Sequence, residues 1–251
     1  MADSRAIPTD TDIDWTGVAG VSIVENGDPL VPLDLIPERV LVHPVYHLSG
    51  VPGARPQCLG RASVMERLVR VAEELPDRLR IVVLDAWRPL AVQQHLYDRL
   101  EALLAHHHPN LSGAEIAVRT RAFVAPPSDD PSRPSPHLTG GAVDLTLVDS
   151  RGRMLPMGSA FDEVTERSYT GHYETGTADP TIRDNRRLLY RAMRNADFAN
   201  LPTEWWHFSY GDQLWAWSNG TDRARYGPVE PETMEQAWSR QLRASEYPHD
   251  P

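Results

Sequence analysis

Two short stretches of this 251-residue chain carry residue types that can do chemistry together. One is Ser135-Pro136-His137-Leu138-Thr139-Gly140-Gly141-Ala142-Val143-Asp144, and the other is Glu204-Trp205-Trp206-His207. Two histidines and one carboxylate make a zinc ligand set that leaves a fourth position open to water. Glu204 is then spare, and a carboxylate beside an activated water is what general-base catalysis requires. On an uninterrupted strand His137 and Asp144 would face opposite ways, so the Gly140-Gly141 pair has to bend the chain between them. Each residue alone also has an ordinary reading. Asp144 could be a turn cap or ion-pair partner, His207 a core histidine, and Trp205, Trp206, Phe208 and Tyr210 core and pocket wall.

The surrounding pattern indicates what holds these residues. Proline density over 125–136 excludes regular structure there, because proline removes donors and fixes φ, so a loop delivers His137. Residues 143–148 alternate, with Val143, Leu145 and Leu147 facing one way and Asp144, Thr146 and Val148 the other, which is a strand. The apolar run Ile81-Val82-Val83-Leu84 reads as a buried strand. Met65, Leu68, Ala72 and Leu75 recur at helical spacing within 61–75, ended by Pro76. Pro89 opens a second helix through Val92, Leu96, Leu100 and Leu103, and 182–193 forms a third. Residues 205–210 read as an aromatic strand, 230–243 as a terminal helix, and 30–60, including Val40-Leu41-Val42 and Pro44-Val45-Tyr46, as short strands and loops. Strands and helices mix without a regular βαβ rhythm, so the fold class is α+β.

Composition removes several function classes. Lys+Arg 25 against Asp+Glu 35 gives −10, without the basic footprint of a nucleic-acid or anionic-membrane binder. A single cysteine, Cys58, excludes an internal disulfide and paired-cysteine zinc sites. No apolar run approaches the ~18–20 residues of a membrane span, and the first residues hold no apolar signal core, so the expectation is a cytoplasmic protein. His106-His107-His108 reads as an exposed helix end and Asp129-Asp130 as solvated loop charge. Cys58 reads as a small buried side chain. His43, His47 and His95 have no spacing that supports a role.

Taken together, Ser-x-His-x-x-Gly-x-Ala-x-Asp followed some sixty residues later by Glu-x-x-His resembles the zinc D,D-peptidase family, in particular its VanX-type D-alanyl-D-alanine dipeptidase branch. Three further stretches are similar to that branch: Asp85-Ala86-Trp87-Arg88-Pro89, Met157-Gly158-Ser159-Ala160-Phe161-Asp162, and Asn185-Arg186-Arg187-Leu188-Leu189. The resemblance covers about 35–217. It implies one zinc per chain bound by His137, Asp144 and His207, with Glu204 as catalytic base and Arg88 stabilising the oxyanion. It further implies Asp162 and Glu204 at the substrate ammonium and Ser135 at its carboxylate. Trp87 stands where relatives carry Tyr, and Tyr169 where many carry His. The expected architecture is a single domain with a central antiparallel sheet flanked by helices, the hedgehog-like zinc D,D-peptidase fold. Residues 1–20 are expected to be loose, 21–220 to form the dipeptidase domain, and 221–251 to be an extension with a short helix. The expected activity is zinc-dependent hydrolysis of D-alanyl-D-alanine, a small-molecule substrate, with no nucleic-acid or membrane partner. The competing readings are a zinc D,D-carboxypeptidase on longer peptidoglycan peptides, a dipeptidase or amidase of specialised metabolism, and a non-catalytic zinc-binding module.

Overall fold

The structure is a computed structural model that describes residues 6–176 and 179–245. In chain order it contains α1 (Trp15–Gly20), β1 (Ser22–Ile23), β2 (Leu30–Pro32), β3 (Val40–Val42), α2 (Val45–Leu48), β4 (Leu59–Arg61), α3 (Ala62–Glu74), β5 (Leu79–Asp85), α4 (Leu90–His107) and α5 (Gly113–Arg121). Then follow β6 (Ala142–Asp149), α6 (Pro180–Asn195), β7 (Ala199–Asn200), β8 (His207–Ser209), α7 (Gln213–Ser218), β9 (Arg223–Ala224) and α8 (Met234–Ser245). The expected α+β class is what forms.

A five-stranded sheet in the order β3-β5-β6-β8-β7 organises the chain. It is antiparallel except at one edge, where β3 runs parallel to β5. The alternation in β6 sorts its side chains by face. Val143, Leu145 and Leu147 enter the main core with Leu68 and Val71 of α3, Leu189 and Met193 of α6, and Phe198. Burying such a leucine or valine contributes roughly 1.5–3 kcal/mol, so this face cannot exchange with the other without losing the core. Val148 turns to the opposite face and packs with Val82 and Leu84 of β5. Asp144 shares that parity, and so a carboxylate stands on the second face of the central strand.

Several elements depart from the sequence reading. Pro44-Val45-Tyr46 leads into a helical turn, α2, that buries Tyr46. The aromatic stretch 205–210 is strand only over His207–Ser209. Helix α5 is started by a capping box in which the Ser112 side chain and the Glu115 side chain satisfy each other's backbone N–H, a signal local to the sequence. Helix α7 is capped by Asp212, whose side chain accepts the Trp215 backbone N–H. The segment expected to be loose carries α1, capped by Asp14, and Ile7 before it is buried with its N–H on Glu174. The chain also stays in the domain past 220. Arg223 and Ala224 pair with Ser22 and Ile23, Tyr226 is fully buried, and Val229 accepts the Trp87 indole N–H at 2.7 Å. Burial of that tyrosine and of Ala224, with the pairing of β9 on β1, is what holds the segment in place.

Candidate active site

The turn between loop and strand forms as the glycine pair requires. His137 lies in a 3-10 turn, Pro136–Thr139, closed by Gly140 at φ +71°. At Gly141 a Cβ would sit 2.4 Å from the Tyr210 carbonyl oxygen, so only glycine lets β6 start against β8. Register does the rest. Asp144 of β6 is directly opposite His207 of β8 and, across the other edge, opposite Asp85 at the bulged end of β5. Directly opposed residues have Cβ atoms about 4.5–5.5 Å apart, which brings residues far apart in sequence to one point on one face.

His137, Asp144 and His207 are all buried, and their donor atoms lie within 4.8 Å of one another. His137 Nε2 is 3.1 Å from His207 Nδ1, which is 3.0 Å from Asp144 Oδ1, and His137 Nε2 is 3.4 Å from Asp144 Oδ2. Tetrahedral coordination with ligand bonds of about 2.0–2.1 Å sets donor separations of about 3.3 Å, so the trio fits a zinc ion. The tautomers fit as well. His137 Nδ1 lies 2.8 Å from the Ala86 carbonyl oxygen, which can only accept, so that nitrogen carries the proton and Nε2 presents a lone pair. His207 Nε2 meets the Ser209 hydroxyl at 3.3 Å, leaving Nδ1 for the cluster. Burial alone would raise the Asp144 pKa, but the two imidazoles outweigh it and hold the carboxyl well below the usual range.

Glu204 reaches the same point from the turn before β8, its Oε2 3.9 Å from His207 Nδ1. Burial, reinforced by the negative charges of Asp144 and Asp162, pushes its pKa up to about 8. Arg88, almost wholly buried, spends its guanidinium on three directions. Nε donates to Asp85 Oδ2 at 2.8 Å, Nη1 to Gln93 Oε1 at 2.7 Å, and Nη2 faces Asp144 Oδ2 at 3.3 Å and the Tyr46 hydroxyl at 3.4 Å. The ion pair with Asp85 thus orients the cation toward the cluster. Tyr46 in turn donates to Asp162 Oδ2 at 2.6 Å. Asp162 sits at φ +57°, a left-handed conformation that aspartate tolerates better than most residues. Its loop is held by Arg186, buried without a carboxylate partner among the described residues, which donates to the carbonyls of Met157, Arg167, Tyr169 and Thr170.

All these groups open on one cavity of about 640 Å³, lined by Tyr46, Arg88, Ser135, His137, Asp144, Asp162, Glu204 and His207 among others. Every candidate site residue is therefore brought to a single space. Trp87 and Tyr169 are not among its lining residues, so neither departure from the family pattern touches the cavity. His43, His47 and His95 are absent from it too, and His106 to His108 form an exposed helix end. Asp129 and Asp130 are exposed, and Cys58 is buried with its thiol pushed up by burial. Tyr46, Gln93 and Asp212 are site residues that motif spacing did not reveal, since each arrives from an element with no chemical pattern of its own.

Residues 51–224 match a family model, Peptidase_M15, described as D-ala-D-ala dipeptidase. A D-alanyl-D-alanine dipeptidase of Synechocystis sp. is 34% identical over 217 residues, covering 78% of this chain and 87% of the relative. The chain belongs to the D-Ala-D-Ala dipeptidase family. A second member, from Escherichia coli, is 33% identical over 130 residues, covering 52% of this chain and 54% of that protein. Among solved structures, the vancomycin-resistance D,D-dipeptidase VanXYg in complex with a D-Ala-D-Ala phosphinate analogue is similar at 20% identity. Its TM-score is 0.39, and the match covers 82% of this chain and 69% of that one. The matched residues 51–224 include both motifs, 135–144 and 204–207, together with Arg88 and Asp162.

Proposed function

We propose that this dipeptidase-family chain hydrolyses D-alanyl-D-alanine to free D-alanine, using zinc held by His137, Asp144 and His207. One observation supports this reading above the others: three ligand atoms with fitting separations converge on the same cavity as an uncommitted carboxylate and an oriented guanidinium. Bound there, zinc supplies a Lewis acid that polarises the scissile carbonyl and activates water near neutral pH. Glu204 takes the proton from the attacking water and then delivers a proton to the leaving amine. Arg88 Nη2 donates to the oxygen that gains negative charge, a contribution of roughly 3–4 kcal/mol per donor in comparable sites. Asp162, with Glu204, faces the substrate ammonium, and Ser135 serves the carboxylate end. The reaction belongs in the cytoplasm, where the dipeptide serves as a cell-wall precursor. No described helix is long and apolar enough to cross a membrane.

The test is D-alanine release from D,D-, L,D- and L,L-dipeptides by the zinc-loaded protein, with and without chelator, beside Glu204→Ala. Release from D-Ala-D-Ala should vanish on chelation, and in the variant it should vanish while zinc stays bound. A folded, zinc-loaded sample that cleaves no D,D-dipeptide would remove the proposal.

A further inference from the structure

The cavity is larger than its proposed substrate needs. Spaces of about 300–1,000 Å³ enclose drug-sized ligands, and at about 640 Å³ this one falls in the middle of that range. A dipeptide whose side chains are two methyl groups fills a fraction of it. The excess has a definite place and chemistry. Helix α4 carries Val92, Leu96, Leu100 and Leu103 on one stripe, the pattern of a helix facing a core. Only Val92 of these is buried; Leu96 and Leu100 are partly exposed and Leu103 is 49% exposed, because the stripe runs along the cavity. Phe123, after α5, and Trp15 of α1, 53% exposed, continue the same apolar wall.

This wall adjoins the end of the site that takes the substrate carboxylate. Gln93, one turn before Leu96, donates to the Ala125 carbonyl at 2.7 Å, and Gln213 donates to that of Ser132 at 3.1 Å. The loop anchored at those two points carries Ser135. Two guanidiniums on the cavity lining, Arg121 and Arg133, have no ion pair among the described residues and can serve a carboxylate. At the ammonium end Asp162 is bonded to Tyr46, and Phe161 packs tilted against Tyr46 and edge-on against Trp206.

We infer that the favoured substrate is a D,D-dipeptide whose carboxyl-side residue bears a large apolar side chain, seated against Leu96, Leu100 and Phe123. This rests on the dipeptidase reading and narrows it. The leaving group is then an amphipathic D-amino acid, with its carboxylate toward Ser135 and its side chain on the leucine stripe. Filling an apolar pocket separates substrates by 10-fold or more, so the preference is visible in kcat/KM.

The zinc-loaded full chain is assayed with D-Ala-D-Ala, D-Ala-D-Leu, D-Ala-D-Phe and D-Phe-D-Ala. The expected order places D-Ala-D-Leu or D-Ala-D-Phe about tenfold above D-Ala-D-Ala, and D-Phe-D-Ala below both. Leu100→Trp should lower the ratio of D-Ala-D-Phe to D-Ala-D-Ala about tenfold. Leu103→Trp, at a half-exposed position that tolerates bulk, should lower it in the same direction. D-Ala-D-Ala ahead of both bulky D-Ala substrates, D-Phe-D-Ala ahead of D-Ala-D-Phe, or a ratio that neither variant moves overturns the inference while leaving the dipeptidase reading intact. Cleavage of none of the four overturns both.

Discussion

Arg88 has two jobs that mutagenesis can separate. Its Nε and Nη1 are committed to Asp85 and Gln93, whereas Nη2 faces the cluster. Arg88→Met removes the proposed oxyanion donor, and the loss of one such donor lowers kcat about 10²–10³-fold. The same change leaves the Asp85 carboxylate, only 15% exposed, without its cation. Burial already pushes the Asp85 pKa up against the pull of Arg88, so the orphaned charge costs about 3–5 kcal/mol. For a domain of this size that lowers Tm by roughly 10 °C. The double variant Asp85→Asn/Arg88→Met removes the orphaned Asp85 charge, and Asp144 keeps the two imidazoles beside it, so most of the stability returns, less about 1 kcal/mol for the lost Gln93 bond. Activity should not return. Coupled D-alanine release, normalised to zinc content because Asp85 Oδ2 also lies 3.6 Å from His137 Nδ1, reads one effect, and thermal melts read the other. A double variant within tenfold of wild-type kcat refutes the catalytic assignment and leaves Arg88 as an ion-pair partner alone.

Further outcomes follow from the same geometry. Glu204 holds its proton up to about pH 8 when folded and releases it near 4.5 when unfolded, so in the metal-free protein it is neutral to stability below pH 4.5 and subtracts from it as pH rises through that window. Metal-free Glu204→Gln should therefore melt higher than wild type at pH 8, by several degrees for a few kcal/mol, with the difference vanishing toward pH 4.5; a gap that grows on acidification contradicts this. Gly141→Ala places a Cβ against the Tyr210 carbonyl, which should cost about 1–3 kcal/mol and weaken zinc binding by shifting β8 and His207, measured by melts and metal titration. Arg186→Met strands the carbonyls of Met157, Arg167, Tyr169 and Thr170. Each lost bond costs about 1–3 kcal/mol, so KM should rise with kcat less affected as the Asp162 loop loosens. Zinc at about 100 times its Kd should add about 2.7 kcal/mol to wild-type stability, and none of that to a His137→Ala/His207→Ala protein.

Much of this was legible in the chain itself, for local reasons. The parity of Val143, Leu145 and Leu147 assigned Asp144 to the face away from the core, because strand side chains alternate whatever the rest of the molecule does. The proline-rich run 125–136 marked a loop, and the glycine pair marked a bend, because both act on the backbone of their own residues. The helices α3, α4 and α6 were visible for the same reason: their apolar spacing is a property of one segment. The Ser112/Glu115 box that starts α5 was equally local and was missed, as was the Asp212 cap of α7.

What the chain could not display is distance. Asp144 meets His207 through the register of β6 on β8, and Asp85 through the register on β5, and register is decided by which faces bury together in three dimensions. Tyr46 joins Asp162 across 116 residues, and Gln93 joins Arg88 to the loop before His137, with no spacing to announce either. The size and apolar character of the cavity were hidden for a related reason. The leucines of α4 read as core in sequence, and only packing shows that no described residue fills the space before them. Sequence determined which residues could bind a metal and move a proton, since that is side-chain chemistry. Tertiary structure decided that they meet, how Arg88 is aimed, and how much room is left beside them, since those depend on contacts between segments that no single segment contains.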